Sequence, residues 1–243
     1  MGSRRATVVT FSGIDGAGKS TQIELFKVHL QRLGLRASSC EFWDDIVAFS
    51  RLREFASHTA FRGDSGVGSP DKPIHRRDKN IRSLPVLVAR LLLYVADALS
   101  LRLALPRLSM RDADVIIFDR YIYDELANLP LRSLLVRFYV GVVLKISPRP
   151  DVAYLLDADP AAACLRKPEY PEEFVRQNRD AYIELSRSVP EMRVVEALSV
   201  EEVSSKIWEW FTIARSRSDT PALKSASPVP LSPHTPHARS GRS

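Results

Sequence analysis

The sequence predicts an α/β fold: a three-layer sandwich in which helices cover both faces of a five-stranded parallel sheet. Three features point there. Short β-rich runs alternate with segments of helical period along residues 1–214. Three of those runs, Ala6 to Ser12, Asp114 to Asp119 and Val152 to Asp157, read as buried strands of such a sheet. The first run passes through a glycine-rich turn straight into a helix, the join that builds parallel sheets.

The first strand is Ala6 to Ser12, Ala-Thr-Val-Val-Thr-Phe-Ser. Lys19 to Leu33 then carries Ile23, Phe26, Leu30 and Leu33 at helical spacing, and Gly34 supplies a stop. Leu35 to Trp43 is the second strand. A helix begins near Pro85, where proline suits a first turn. Asp114 to Asp119 and Val152 to Asp157 are buried-strand runs ending in a carboxylate, and Met192 to Ala197 is a fifth, weaker run. Between them lie a helix over Tyr123 to Ile146, with a break expected near Pro130, a helix after Asp159-Pro160, and one from Pro171 toward Ser188. The last helix starts at Ser199, where Ser-Val-Glu-Glu is a capping box, and sets Val203, Ile207, Trp210 and Phe211 on one face.

Two segments fall outside this order. Residues 58–82 form a long polar loop, and such loops inside a compact domain are functional or disordered. Residues 215–243 are rich in Ser, Pro and Arg and cannot form a core, so a disordered tail is expected. The organisation is therefore one domain over 1–214, with a lid-like segment at 161–180, and a tail.

Charge excludes several classes. Of the net charge of +6, residues 215–243 hold five Arg or Lys against one Asp, so the body is nearly neutral. A nearly neutral body lacks the basic face of a dedicated nucleic-acid protein, and no nucleic acid is expected as partner. The basic tail either solubilises the chain or touches an anionic partner. Cys40 and Cys164 have neither disulfide-framework nor zinc spacing. The apolar stretches Leu84 to Pro106 and Leu131 to Ile146 are interrupted by Arg90, Asp97, Arg102, Arg132 and Arg137, so buried or amphipathic helices are expected rather than membrane spans. A strand beginning at Ala6 leaves no room for a signal peptide, which points to the cytoplasm.

The chemistry is concentrated in Gly13-Ile14-Asp15-Gly16-Ala17-Gly18-Lys19-Ser20-Thr21. It satisfies G-x-x-x-x-G-K-[ST] between a strand and a helix, the context that makes the motif a P-loop. Glycines let several N–H groups converge on one phosphate, and the helix N-terminus adds its positive field. Lys19 reaches the β- and γ-phosphates, and the Ser20 hydroxyl can hold Mg2+. This gives the fold its type, a P-loop nucleotide kinase, and ATP as cofactor. Asp119 ends a strand and suits the magnesium carboxylate; it could instead cap the following helix. Arg120 suits a phosphate clamp, or else pairs with Asp119.

With these residues placed, the chain resembles the thymidylate kinases. Phe11 to Thr21 looks like that family's P-loop, with an Asp two residues after the first Gly. Asp119-Arg120-Tyr121 matches its Asp-Arg-Tyr motif, Leu91 to Asp97 its helix beside the thymine, Leu155 to Pro160 the strand and turn before its lid, and Tyr182 to Ser186 the helix after the lid. The resemblance spans about residues 6–213. It implies that Asp15 contacts the acceptor sugar, that Tyr94 stacks on the base with Asp97 and Tyr121 nearby, and that Arg120 lies between the phosphates. It also requires an Arg over the transferring phosphate. The P-loop offers Ala17 there, so the lid supplies it, from Arg166, Lys167, Arg176 or Arg179, with Arg166 and Arg176 put forward as catalytic. A solvated helix charge is the alternative for each.

The chain departs from the family in places. Glu41-Phe42-Trp43-Asp44-Asp45-Ile46 replaces an Arg-Glu-Pro-Gly type turn, Ala98 stands where an Arg usually follows, and the lid Cys164 to Pro171 is short. Arg51, Arg53, Arg62, Arg76, Arg77 or Arg82 could replace the missing phosphate contacts. Asp44 or Asp45 could instead act as base on a neutral hydroxyl, or cap a helix. The expected reaction is ATP-dependent phosphorylation of a nucleoside monophosphate, dTMP first. A deoxynucleoside or other small-alcohol kinase, and a non-catalytic nucleotide-binding switch, stay open; so does a homodimer.

Overall fold

The computed structural model describes residues 5–42, 84–109 and 113–218. Asp44, Asp45, the polar loop at 58–82, its candidate arginines and the chain from 219 onward lie outside the described residues.

Five strands form one sheet: β1 (Thr7–Ser12), β2 (Ala37–Glu41), β3 (Val115–Asp119), β4 (Val152–Leu156) and β5 (Met192–Val195). Their order is β2-β3-β1-β4-β5, and every pairing is parallel. The helices are α1 (Lys19–Arg32), α2 (Leu84–Ser109), α3 (Ile122–Leu126), α4 (Leu134–Ile146), α5 (Pro160–Arg166), α6 (Glu172–Ser186) and α7 (Val200–Ser218). The expected three-layer sandwich is what forms.

Alternation along the strands divides the core in two. Val9, Phe11, Ile117, Tyr154 and Leu156 point to one face and meet Phe26, Leu30, Trp208 and Phe211 of α1 and α7. Val8, Ile116, Phe118, Ala153 and Leu155 point to the other and meet residues of α2, α3, α4 and α6. All six β1 residues are buried, so the central strand is closed to water from both sides.

Local signals set the element ends. Ser199 and Glu202 cap α7 reciprocally: the Ser199 N–H donates to Glu202 Oε2 at 3.0 Å and the Glu202 N–H to Ser199 Oγ at 3.3 Å. Asp159 caps α5 by accepting from the Ala162 N–H at 2.9 Å. The break around Pro130 is wider than expected, separating α3 from α4 over residues 127–133. At the other end of the chain, α7 runs to Ser218, past the expected start of the tail at 215. Arg215 explains the extension: it is buried, with its guanidinium 6.0 Å from the Phe211 ring centroid.

Parallel pairing brings the carboxyl ends of β1, β3 and β4 together. Phe11 stands opposite Asp119, and Ser12 opposite Leu155. The turn after β1 therefore opens between the ends of its two neighbours, the crevice where such sheets bind ligands.

Phe211 sits in the α1–α7 layer, edge-on to Phe26 at 5.0 Å. Phe211→Ala should lower unfolding stability by about 3–5 kcal/mol in a denaturant titration. A loss below about 1 kcal/mol would mean that α7 is not part of the core.

Candidate active site

The turn from Gly13 to Gly18 is gripped by backbone on both sides. Gly13 has φ +143°, and a side chain there would bring its Cβ within 2.6 Å of the Leu156 carbonyl oxygen on β4. Gly16 has φ +81°, and its Cβ would lie 2.5 Å from the Ala163 carbonyl oxygen on α5. Only glycine fits either place. Arg166, on the last turn of α5, donates from Nε to the Gly16 carbonyl at 2.9 Å. Arg166 is thereby set against the P-loop.

The first turn of α1 contains no acidic residue to oppose an anion at its N-terminus. Ser20 and Thr21 stand exposed on that turn. Lys19 is buried and folds back, donating to the carbonyls of Gly13 at 2.8 Å and Ile14 at 2.9 Å. Burial, and then the positive charge of Arg120, pull its pKa down to about 8, although Asp124, Asp15 and Asp119 oppose them.

Arg120 follows β3 with φ +68°, a left-handed conformation that a non-glycine residue rarely adopts. Its N–H donates to the Phe11 carbonyl at 2.9 Å, and its Nη2 to Asp15 Oδ1 at 2.6 Å. This guanidinium thus pairs with the P-loop carboxylate, with Asp124 Oδ1 4.0 Å from Nη1, and not with Asp119. Burial would raise the Asp15 pKa, but Arg120, Lys19 and Lys167 outweigh it and hold the carboxyl below its usual value. Burial alone would lower the Arg120 pKa, and the carboxylates of Asp124 and Asp15 raise it instead.

Asp119 is half-buried at the end of β3, near enough to Lys19 to act on its charge. Ser20 and Asp119 are both oxygen donors. No cluster of three or more metal-ligating side chains exists among the described residues. A magnesium ion asks for no more, because it keeps several waters and takes few protein oxygens beside the substrate phosphates.

Other expected residues fall elsewhere. Arg176 pairs with Glu172 and Glu173 of its own helix and is not brought to the P-loop. An i,i+4 acidic partner captured it, as on any charged helix face. Arg179 makes two bonds to Asp157, of 2.6 and 2.7 Å, at the end of β4. Tyr94 is 2% exposed and packs within the core cluster on the α2 side of the sheet. Asp97 is likewise fully buried on α2. Tyr121 is buried, and its hydroxyl donates to the Pro148 carbonyl at 2.8 Å.

Sequence reasoning did not single out Ser12, Asp124 or the hydroxyl of Tyr182. The structure joins them: Ser12 Oγ donates to Asp124 Oδ2 and the Tyr182 hydroxyl to Asp124 Oδ1, both at 2.7 Å. Ser12 and Asp124 are 112 positions apart, and Asp124 and Tyr182 are 58 apart, so no local pattern could reveal the group.

Comparison with known proteins agrees with the geometry. A probable thymidylate kinase of Pyrococcus horikoshii is 31% identical over 216 residues, covering 84% of this chain and 94% of the relative. One from Thermococcus onnurineus is 29% identical over 208 residues, covering 82% and 94%. The thymidylate kinase of Bifidobacterium longum subsp. infantis is 27% identical over 218 residues, covering 82% and 83%. The crystal structure of the thymidylate kinase from Ehrlichia chaffeensis shares the fold at a TM-score of 0.55 and 17% identity, covering 86% of this chain and 99% of that one. No family model matches the sequence.

With a Lys19 pKa of about 8, the ammonium is about half deprotonated near pH 8. A polyphosphate arriving beside it favours the charged form, so binding should take up protons there. Calorimetry of ATP–magnesium binding at pH 8.5, in two buffers of different ionisation enthalpy, should show uptake in the wild type and less in Lys19→Met. Near pH 7, where Lys19 is already charged, the two proteins should agree. Equal proton uptake at pH 8.5 would contradict the low pKa.

Proposed function

This chain belongs to the thymidylate kinase family, and we propose on that premise that it transfers the γ-phosphoryl group of ATP to dTMP, releasing ADP and dTDP. The observation that carries this reading is the Asp15–Arg120 pair at 2.6 Å. It supports the reading because it sets an arginine able to bind an acceptor phosphate directly against the P-loop.

The roles follow from position. The P-loop N–H groups and Lys19 hold the β- and γ-phosphates. Ser20 and Asp119 would hold a magnesium ion, which neutralises charge on the phosphates. Arg166, bonded to the loop at Gly16, is the lid arginine placed to meet charge developing on the transferring phosphoryl group. Arg120 binds the acceptor phosphate, and Asp15 is free to exchange its ion pair for a sugar hydroxyl. An oxygen of the dTMP phosphate attacks Pγ as the bond from Pγ to the β-bridging oxygen breaks. The attacking dTMP oxygen is already anionic, so the step needs alignment and charge stabilisation rather than a carboxylate base.

No described helix is long and apolar enough to cross a membrane. Instead, α2 exposes Val88, Leu92, Leu99 and Leu103 in a single row, and its neighbour α4 exposes Leu134, Leu135 and Phe138. Adjacent apolar rows of this size mark a contact surface, which supports a homodimer. The nucleotide substrates are soluble, which supports a cytoplasmic location.

A coupled assay of ADP release with dTMP tests both the reaction and the ranking of the arginines. Lys19→Ala and Arg166→Ala should each cost about a hundredfold or more in kcat, the loss expected for one transition-state phosphate contact. Arg176→Ala, paired only within its own helix, should stay within about twofold. A folded Lys19→Ala protein with wild-type turnover would remove the donor-site assignment, and a loss in Arg176→Ala equal to that in Arg166→Ala would reverse the ranking.

A further inference from the structure

Asp124 is 2% exposed, yet it faces three hydrogen-bond donors and a guanidinium. Its Oδ2 accepts from Ser12 Oγ at 2.7 Å and from the Tyr121 N–H at 2.9 Å. Its Oδ1 accepts from the Tyr182 hydroxyl at 2.7 Å and lies 4.0 Å from Arg120 Nη1. One carboxylate therefore ties together the end of β1, the turn after β3, the short helix α3 and the middle of α6.

Capping α3 does not account for this arrangement. A cap needs only the bond from the Tyr121 N–H, whereas the remaining acceptor positions face the P-loop strand, the arginine and a helix far along the chain. The arginine also needs holding. Arg120 is in a left-handed backbone conformation that persists only where its surroundings enforce it. Of the two carboxylates bracketing its guanidinium, Asp15 is 25% exposed and stands where substrate arrives, while Asp124 is 2% exposed and cannot exchange with solvent.

We propose that Asp124 is the positioning residue of Arg120, and that the Tyr182 hydroxyl extends its hold to α6, so that the acceptor-side arginine and the helix behind the lid are set as one unit. Arg179, one turn before Tyr182, fixes the same helix to Asp157 at the end of β4. Helix α6 is thus pinned at two points beside the crevice, and the turn at residues 167–171 hangs between it and α5. When an acceptor phosphate draws Arg120 away from Asp15, Asp124 keeps the guanidinium aimed. An amide at position 124 would set an N–H group against incoming donors, so Asp124→Asn removes the hold with little change of shape.

This inference rests on the phosphotransferase reading. The test is a double-mutant cycle in the full chain, assayed with ATP and dTMP, with melting temperature measured on each protein. Asp124→Asn should lower kcat about 30-fold and Tyr182→Phe about fivefold, as misplaced catalytic groups do, with the KM for ATP unchanged. Added to Arg120→Ala, neither should cost more than about a further twofold, because each acts through the residue already removed. Losses that multiply in the double mutants would overturn the proposal, as would single mutants that lower only the melting temperature and leave kcat per folded protein intact. If Asp124→Asn does not fold, the cycle between Tyr182→Phe and Arg120→Ala decides. A wild-type chain that does not turn over dTMP sinks the phosphotransferase reading and this inference with it, whereas wild-type turnover with multiplying losses sinks the inference alone.

Discussion

The close approach of two backbone segments to the P-loop is the constraint on which the rest of the site depends. The Leu156 carbonyl lies against Gly13, and the Ala163 carbonyl against Gly16. These contacts fix the loop to β4 and α5 by shape and do not use its N–H groups. They also explain why the lid side is already in reach. A helix whose carbonyl touches Gly16 brings its own last turn close, and Arg166 bonds there. The donor loop and the first part of the lid segment are therefore one packed unit.

Charge is arranged around that unit in alternating layers. Lys19, Arg120 and Lys167 surround Asp15, while Asp124 and Asp119 lie behind and beside the cations. Without a substrate, each cation has a protein partner: backbone carbonyls for Lys19, Asp15 for Arg120, Glu169 for Lys167. Pairing of this kind keeps the buried Lys19 from standing unpaired, which would cost on the order of several kcal/mol.

Much of this was legible in the sequence, for a physical reason. Features that depend on neighbours in the chain leave local patterns: the P-loop spacing, the strand runs, the capping box at Ser199, and the carboxylate ending β3. Features that depend on tertiary placement do not. Arg166 and Arg176 looked equivalent as lid cations, because nothing local tells that one faces Gly16 and the other finds Glu172 four residues earlier. Tyr94 is similar, since a tyrosine on a helix can line a pocket or fill a core, and the local sequence does not show that it is buried. Asp124 is not distinguished by the sequence, where it is one acidic residue near the start of the expected helix from Tyr123. Its burial depends on Ser12 and Tyr182 reaching it from elsewhere in the chain, and on Arg120 turning back toward it.

The hidden polar group also bears on how a divergent chain keeps an old activity. This sequence lacks the Arg-Glu-Pro-Gly type turn after β2 and the arginine at position 98 that the family resemblance would lead one to expect. What it retains is the part built on the rigid ends of β1, β3 and β4, where Arg120 is held from both sides by Asp15 and Asp124. Phosphoryl transfer depends mainly on aligning charged groups. An arginine locked by backbone and by a buried carboxylate needs less help from loops than one on a flexible turn. The strained φ of Arg120 is consistent with that division: strain persists where the surrounding structure over-determines it, and here the over-determination comes from the sheet. Variation at the loops then changes how the acceptor is gripped, while the geometry of transfer stays with the sheet.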